Sequence, residues 1–177
     1  MEQWTAYTRE GQETGHVLTR GQAIPEGFYH LVVECIVRHT DASILFMKRA
    51  ADKPSYPSYW EASAGGSALL GEQPLEAVLR EVAEETGLTL QPDSLICYHR
   101  FIADEDHCLF HCYLAETAVD QAAISLQEGE TTDFIWVPQE ELERFLADQL
   151  VIPRQKEVLT SLFLDGKKEA ETKVLTS

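Results

Sequence analysis

Basic residues are scarce in this chain. Only 14 Lys and Arg stand against 30 Asp and Glu, a formal net charge of −16. Such a surface repels a nucleic-acid duplex or an anionic bilayer, so neither a nucleic-acid polymer nor a membrane is an expected partner. Long apolar runs are missing as well: no stretch reaches the roughly 18 residues that mark a membrane-spanning helix. The N-terminal MEQWTAYTREG lacks the basic start and apolar centre of a secretory signal, which makes a cytoplasmic location the expectation. Cysteine occurs at Cys35, Cys97, Cys108 and Cys112 alone. These are too few and too irregular for a disulfide scaffold and read as reduced thiols. Repeats, low-complexity tracts and interdomain linkers are also absent.

What is present is a globular composition. The 177 residues, 44% apolar and 25% charged, suffice for one domain with a real core. Within it, Glu81, Glu84 and Glu85 have the i, i+3, i+4 spacing that places side chains on one helical face. Taking Glu81 as zero at 100° per residue, Glu84 and Glu85 fall about 60° to one side and 40° to the other. Leu75, Val78, Leu79 and Val82 form an apolar stripe centred roughly 110° away, while Ala77 leaves the carboxylate face open. Pro74 suits the first helical position and Gly87 the left-handed residue that ends a helix. Three converging carboxylates are either a solvated acidic face or a site for a hard divalent cation, Mg2+ or Mn2+, which shares its oxygen shell with substrate phosphates.

The stretch Gly66–Leu88, GSALLGEQPLEAVLREVAEETGL, resembles the Nudix box, G-x5-E-x7-R-E-U-x-E-E-x-G-U, where U is a bulky aliphatic residue. Gly66, Glu72, Arg80, Glu81, Val82, Glu84, Glu85, Gly87 and Leu88 fill all its fixed positions. The resemblance implies an α/β fold: a mixed β-sheet in an α/β/α sandwich, with residues 29–165 as core. Residues 1–28 form an N-terminal hairpin extension with its connector, and 166–177 a tail. It further implies that Glu84 and Glu85 are the main metal ligands, Glu81 a ligand or the base acting on water, and the Gly65 carbonyl a further ligand. Glu72 and Arg80 pair to hold the loop against the helix.

Around the box, residues 3–19 read as two short strands and a turn, similar to the hairpin of Nudix proteins related to isopentenyl-diphosphate isomerases. YHLVVECIVR and ILFMKR read as strands, followed by a loop carrying Arg49 and Lys53. In the isomerase-like subgroup this R-x3-K pair lies near the substrate diphosphate, so phosphate binding is implied; a surface arginine and a solvated lysine are the plain alternative. Trp60 reads as a packing residue. SLICYHRFIA and CLFHCYLAE read as a hairpin, in which alternation sets His107 and His111 opposite Cys108 and Cys112 and so argues against a shared zinc site. FIWV is a further strand, and Pro138 should open the helix PQEELERFLAD. Glu130 stands six residues before Trp136, where many Nudix chains carry another acid that reaches the metal; Glu128 competes for that place. Val158, Leu159, Leu162 and Phe163 form an amphipathic stripe for packing on the core or on a partner chain, which leaves a homodimer open.

The resemblance therefore implies a metal-dependent hydrolase of a small-molecule diphosphate, a nucleoside diphosphate joined to another group X. Isopentenyl-diphosphate isomerase is the runner-up. Those isomerases use a cysteine and a histidine five and seven residues after the lead-in tryptophan, and here these positions are Gly65 and Ser67. A non-catalytic nucleotide sensor on the same fold is the other alternative, against which the intact set of carboxylates argues.

Overall fold

The structure, a computed structural model, describes residues 1–165. The expected tail, 166–177, lies outside the described residues. The chain opens with a hairpin of β1 (Gln3–Tyr7) and β2 (Glu13–Thr19), paired antiparallel from Gln3↔Thr19 to Tyr7↔Glu13. Trp4, Ala6 and Leu18 bury together against Ile24 and Phe28, giving the hairpin a small core of its own.

The main sheet is built on β3 (His30–His39). Along one edge it pairs parallel with β8 (Cys108–Thr117), which in turn pairs antiparallel with β7 (Leu95–Ala103). The other edge of β3 takes β6 (Ala64–Ser67) and, at Arg38↔Ile44, the start of β4 (Ile44–Arg49). Strand β4 is flanked by β5 (Trp60–Glu61) and β9 (Thr131–Val137), both antiparallel to it. The result is a seven-stranded mixed sheet.

Alternation along the strands divides the core in two. Leu45 and Met47 join Leu31, Val33, Cys35 and Val37 beneath α1 (Pro74–Thr86), which supplies Ala77, Val78 and Val82. Ile44 and Phe46 face the opposite way with Ile36 and Trp60, and are covered by Leu142, Leu146, Leu159 and Phe163 from α2 (Leu142–Asp148), α3 (Pro153–Thr160) and the turn after it. Helices thus lie on both faces of the sheet, in the expected α/β/α layering.

Two boundaries differ from expectation. The helix after Pro138 starts only at Leu142, because residues 138–141 form a turn closed by the Glu141 amide on the Pro138 carbonyl at 2.9 Å. That turn lets the chain leave β9 before Leu142 and Leu146, both buried, meet the sheet. Near the C-terminal end, α3 widens after Thr160 into a π-helical turn, Ser161–Asp165. The wider turn buries Leu164 with Leu159 and Phe163 and leaves Leu162 40% exposed.

Candidate active site

Helix α1 starts with Pro74 and ends on Gly87, whose amide donates to the Ala83 carbonyl at 3.0 Å and whose φ of 75° turns the chain out of the helix. At the other end the Gln73 amide donates to the Glu76 carboxylate at 2.9 Å. The buried side of the helix is turned toward the carboxylates. Ala77, Val78, Val82, Glu85 and Thr86 are buried, whereas Leu75 is 37% exposed. At 100° per residue this arc runs from roughly 40° on one side of Glu81 to roughly 140° on the other. Ala77 is therefore a core residue and keeps no open face. The rotation follows from the glycines of β6. A Cβ on Gly66 would lie 2.5 Å from the Glu81 carboxyl carbon, so only a bare strand lets the acidic edge of α1 approach so closely.

Glu81, Glu84 and Glu85 line one cleft of about 440 Å³, together with Gly65, Arg49, Lys53, Arg80 and Glu130. Its cations are already engaged. Arg80 donates to both Glu72 oxygens at 2.8 and 2.9 Å, to the Ser67 carbonyl at 3.1 Å, to Glu81 at 2.8 Å and to Glu84 at 3.2 Å. Arg49 bonds Glu61 at 2.8 Å and the Ser55 carbonyl, and Lys53 pairs with Glu130. Of the two rival acids after β8, Glu130 faces the cleft and Glu128 is exposed to solvent. Trp60 packs in the core against Phe145.

Glu85 is the exception. It is 7% exposed and accepts only the Gly65 amide, at 3.0 Å; among the described residues no cation pairs with it. Burial, and then the charges of Glu61 and Glu81, push its carboxyl well above the usual carboxylate range. Burial likewise raises Glu81 against the pull of Arg80, and raises Glu61 against that of Arg49. Burial also works to raise Glu72, but the Arg80 hydrogen bonds and the Leu69 amide hold it below its ordinary value. Oxygen donors with more negative charge than the surrounding cations offset fit a hard divalent cation. As they stand, no three His, Cys, Asp or Glu side chains among the described residues converge on one point, because Arg80 holds Glu81 and Glu84 while the Gly65 amide holds Glu85.

Two parts of the site are not legible in the sequence: Glu61, which lines the adjoining cavity, and the hairpin that walls this cleft. Glu61 is a single acid in a two-residue strand, brought beside Glu85 by the pairing Met47↔Glu61; its one signal is a charged residue within an otherwise apolar lead-in. The N-terminal hairpin supplies Glu2, Trp4 and Arg20 to the cleft wall, with Arg20 bonded to Glu2 at 2.8 Å. It is tied to the box loop through Leu70 N–H to the Gln3 carbonyl at 2.8 Å and Gly71 N–H to Thr5 Oγ1 at 2.9 Å. Leu69 and Leu70 remain 36% and 48% exposed there. Elsewhere, His107 lies in the turn before β8 with φ 54°, and Cys108 contacts His30 Nε2 at 3.0 Å.

Residues 28–162 match the family profile of the NUDIX domain. An uncharacterized Nudix hydrolase of Listeria monocytogenes is 31% identical over 156 residues, covering 86% of this chain and 89% of the relative. The Nudix hydrolase YfcD of Escherichia coli K12 is 27% identical, covering 84% and 83%. In fold, a crystal structure from Deinococcus radiodurans superimposes with a TM-score of 0.71 at 18% identity, covering 92% of this chain and 99% of that one. Among the described residues no helix is long and apolar enough to cross a membrane. The box on α1, the sheet that carries it and the match over most of the chain lead to one assignment: the protein belongs to the Nudix family of hydrolases.

Proposed function

We propose that this chain hydrolyses the diphosphate linkage of a nucleoside diphosphate joined to another group X, with a divalent cation, Mg2+ or Mn2+, held by Glu81, Glu84, Glu85 and the Gly65 carbonyl. The observation that carries this reading is Glu85, a buried carboxylate with no cationic partner among the described residues, raised by the charges of Glu61 and Glu81 and lining a cleft that also holds Arg49 and Lys53. When bound, the cation offsets charge on the bridging phosphates and activates water.

The chain's own residues supply the rest. Arg49 and Lys53 take the substrate phosphates in exchange for Glu61 and Glu130, so substrate entry parts two carboxylates from their cations. Arg80, fixed by Glu72 and the Ser67 carbonyl, holds the box loop against α1, and its bonds to Glu81 and Glu84 give way to the cation. Glu81 and Glu130, both lining the cleft, are the candidate bases for the water; burial of Glu81 raises its proton affinity toward that of a useful base. Residues 1–28 serve as an extension that walls the cleft of a core spanning 29–165. The isomerase reading finds no support at Gly65 and Ser67, which offer neither thiol nor imidazole.

The test is nucleotide and phosphate release from a panel of diphosphate compounds, with and without Mg2+, for wild type beside Glu85→Gln. Metal-dependent cleavage that the substitution abolishes is the expected result. Binding without turnover by a folded wild-type protein would overturn it in favour of a sensor.

A further inference from the structure

A second cleft, of about 620 Å³, meets the first at Arg49, Gly65 and Gly66. It takes Val32 and Glu34 from β3, which alternate with the α1-facing Val33 and so put it on the α3 side of the sheet. The glycines of β6 leave the passage between the two clefts without side chains. One wall is aromatic. Phe101 of β7 and Phe110 of β8 are register partners, with ring centroids 4.6 Å apart and planes within 3°. The guanidinium carbon of Arg154 lies 5.0 and 4.9 Å from the two centroids, and Glu34 holds that guanidinium by an ion pair. Both rings are half-buried and belong to neither packed core, so their surface is not consumed by folding.

The chemistry of this cleft differs from that of the first. Arg154 is offset by Glu34 and Arg49 by Glu61, which leaves no surplus cation for a further phosphate among the described residues. A saturated chain would cover the rings but offer nothing to the carboxylate of Asp106, which no cation pairs with among the described residues. A flat heteroaromatic ring meets both requirements: its face stacks on the phenyl and guanidinium planes, and its N–H edge donates to Asp106.

We infer that the second cleft binds the base of the nucleoside, stacked at Phe101, Phe110 and Arg154, while the phosphates lie at Arg49 and Lys53. This rests on the diphosphate-hydrolase reading and names the part of the substrate that the chain recognises.

Calorimetric titration of the full chain with AMP, ribose 5-phosphate and pentyl phosphate tests it. The three share a phosphomonoester and differ in what it carries. AMP should bind at least about tenfold more tightly than either of the others, a difference within reach of one base stacked on an aromatic ring. Phe101→Leu should bring AMP close to ribose 5-phosphate without altering the latter, and Phe101→Tyr, which restores a flat ring, should retain the preference. Equal affinities, pentyl phosphate binding as well as AMP, undetectable AMP binding, or an AMP preference that survives Phe101→Leu would each overturn the assignment. The two readings fail separately. Diphosphate cleavage by a protein whose AMP affinity ignores Phe101 removes only the base site, whereas Phe101-dependent AMP binding without cleavage of any diphosphate removes only the hydrolase.

Discussion

Glu85→Gln separates the charge of this residue from its shape. The carboxamide keeps an oxygen for the Gly65 amide, which now donates at 3.0 Å, and turns an NH2 toward the neighbouring carboxylates. What is lost is one negative charge at a site 7% exposed. Without metal, burial and then Glu61 and Glu81 raise the wild-type carboxyl above its ordinary 4.5. An acid raised on folding contributes stability below its unfolded value and loses it as pH rises through the folded value. The variant has no such loss. From about pH 5 to pH 8 its thermal midpoint should equal or exceed that of wild type, with the gap growing as pH rises. Magnesium should reverse the order. A cation at a hundred times its Kd that binds only the folded state adds about 2.7 kcal/mol. At about 2–4 °C per kcal/mol for a chain of this size, wild type should gain roughly 5–11 °C, and the variant much less. Differential scanning calorimetry with EDTA or Mg2+ reads both effects. A variant that melts far below wild type in EDTA, or that gains as much from Mg2+, would refute the assignment of Glu85 as the uncompensated ligand.

Gly66→Ala should cost activity far more than stability. The new Cβ, 2.5 Å from the Glu81 carboxyl carbon, must displace that carboxylate, and a displacement of that order lowers kcat by up to about a hundredfold; steady-state kinetics beside a thermal melt separate the two. Arg80→Ala leaves Glu72, Glu81 and Glu84 without their shared partner and should lower stability by about 2–3 kcal/mol in urea unfolding. Arg80→Lys should recover less than half of that, since an ammonium cannot hold Glu72 through two parallel bonds. Leu159→Ala, fully buried beneath the sheet on the side away from α1, should cost about 2–5 kcal/mol while the surviving folded protein keeps a near-normal kcat.

Much of the fold is legible in the sequence because it is written in local periodicity. Ile44–Arg49 is read with both of its ends, since Ile44 and Phe46 serve one core and Leu45 and Met47 the other. The box is legible for the same reason: its acids, arginine and glycines stand at fixed offsets along one helix and its flanks. What escapes depends on contacts between distant segments. Ala77 and Glu85 are buried although neither belongs to the apolar stripe that the helix's own pattern displays. Glu61 reaches Glu85 through strand pairing, and Arg20 reaches the cleft through docking of a hairpin. Arg154 and Glu34, which brace the second cleft, are separated by 120 residues.

The parallel pairing of β3 with β8 also governs how the chain must assemble. A hairpin can zip outward from its turn, but His30 and Cys108 are 78 residues apart and share no turn. At roughly 5–20 residues per second, ribosomal synthesis of that interval takes about 4–16 s. Throughout it β3, with Val33, Cys35 and Val37 fully enclosed at the end, has no permanent neighbour on its β8 edge. Nascent chains are thus most open to wrong pairing midway through translation. The acidic excess matters at that stage in a way unrelated to catalysis: residues 1–107 already hold 17 Asp and Glu against 8 Lys and Arg, and that net charge of −9 opposes association of unfinished copies.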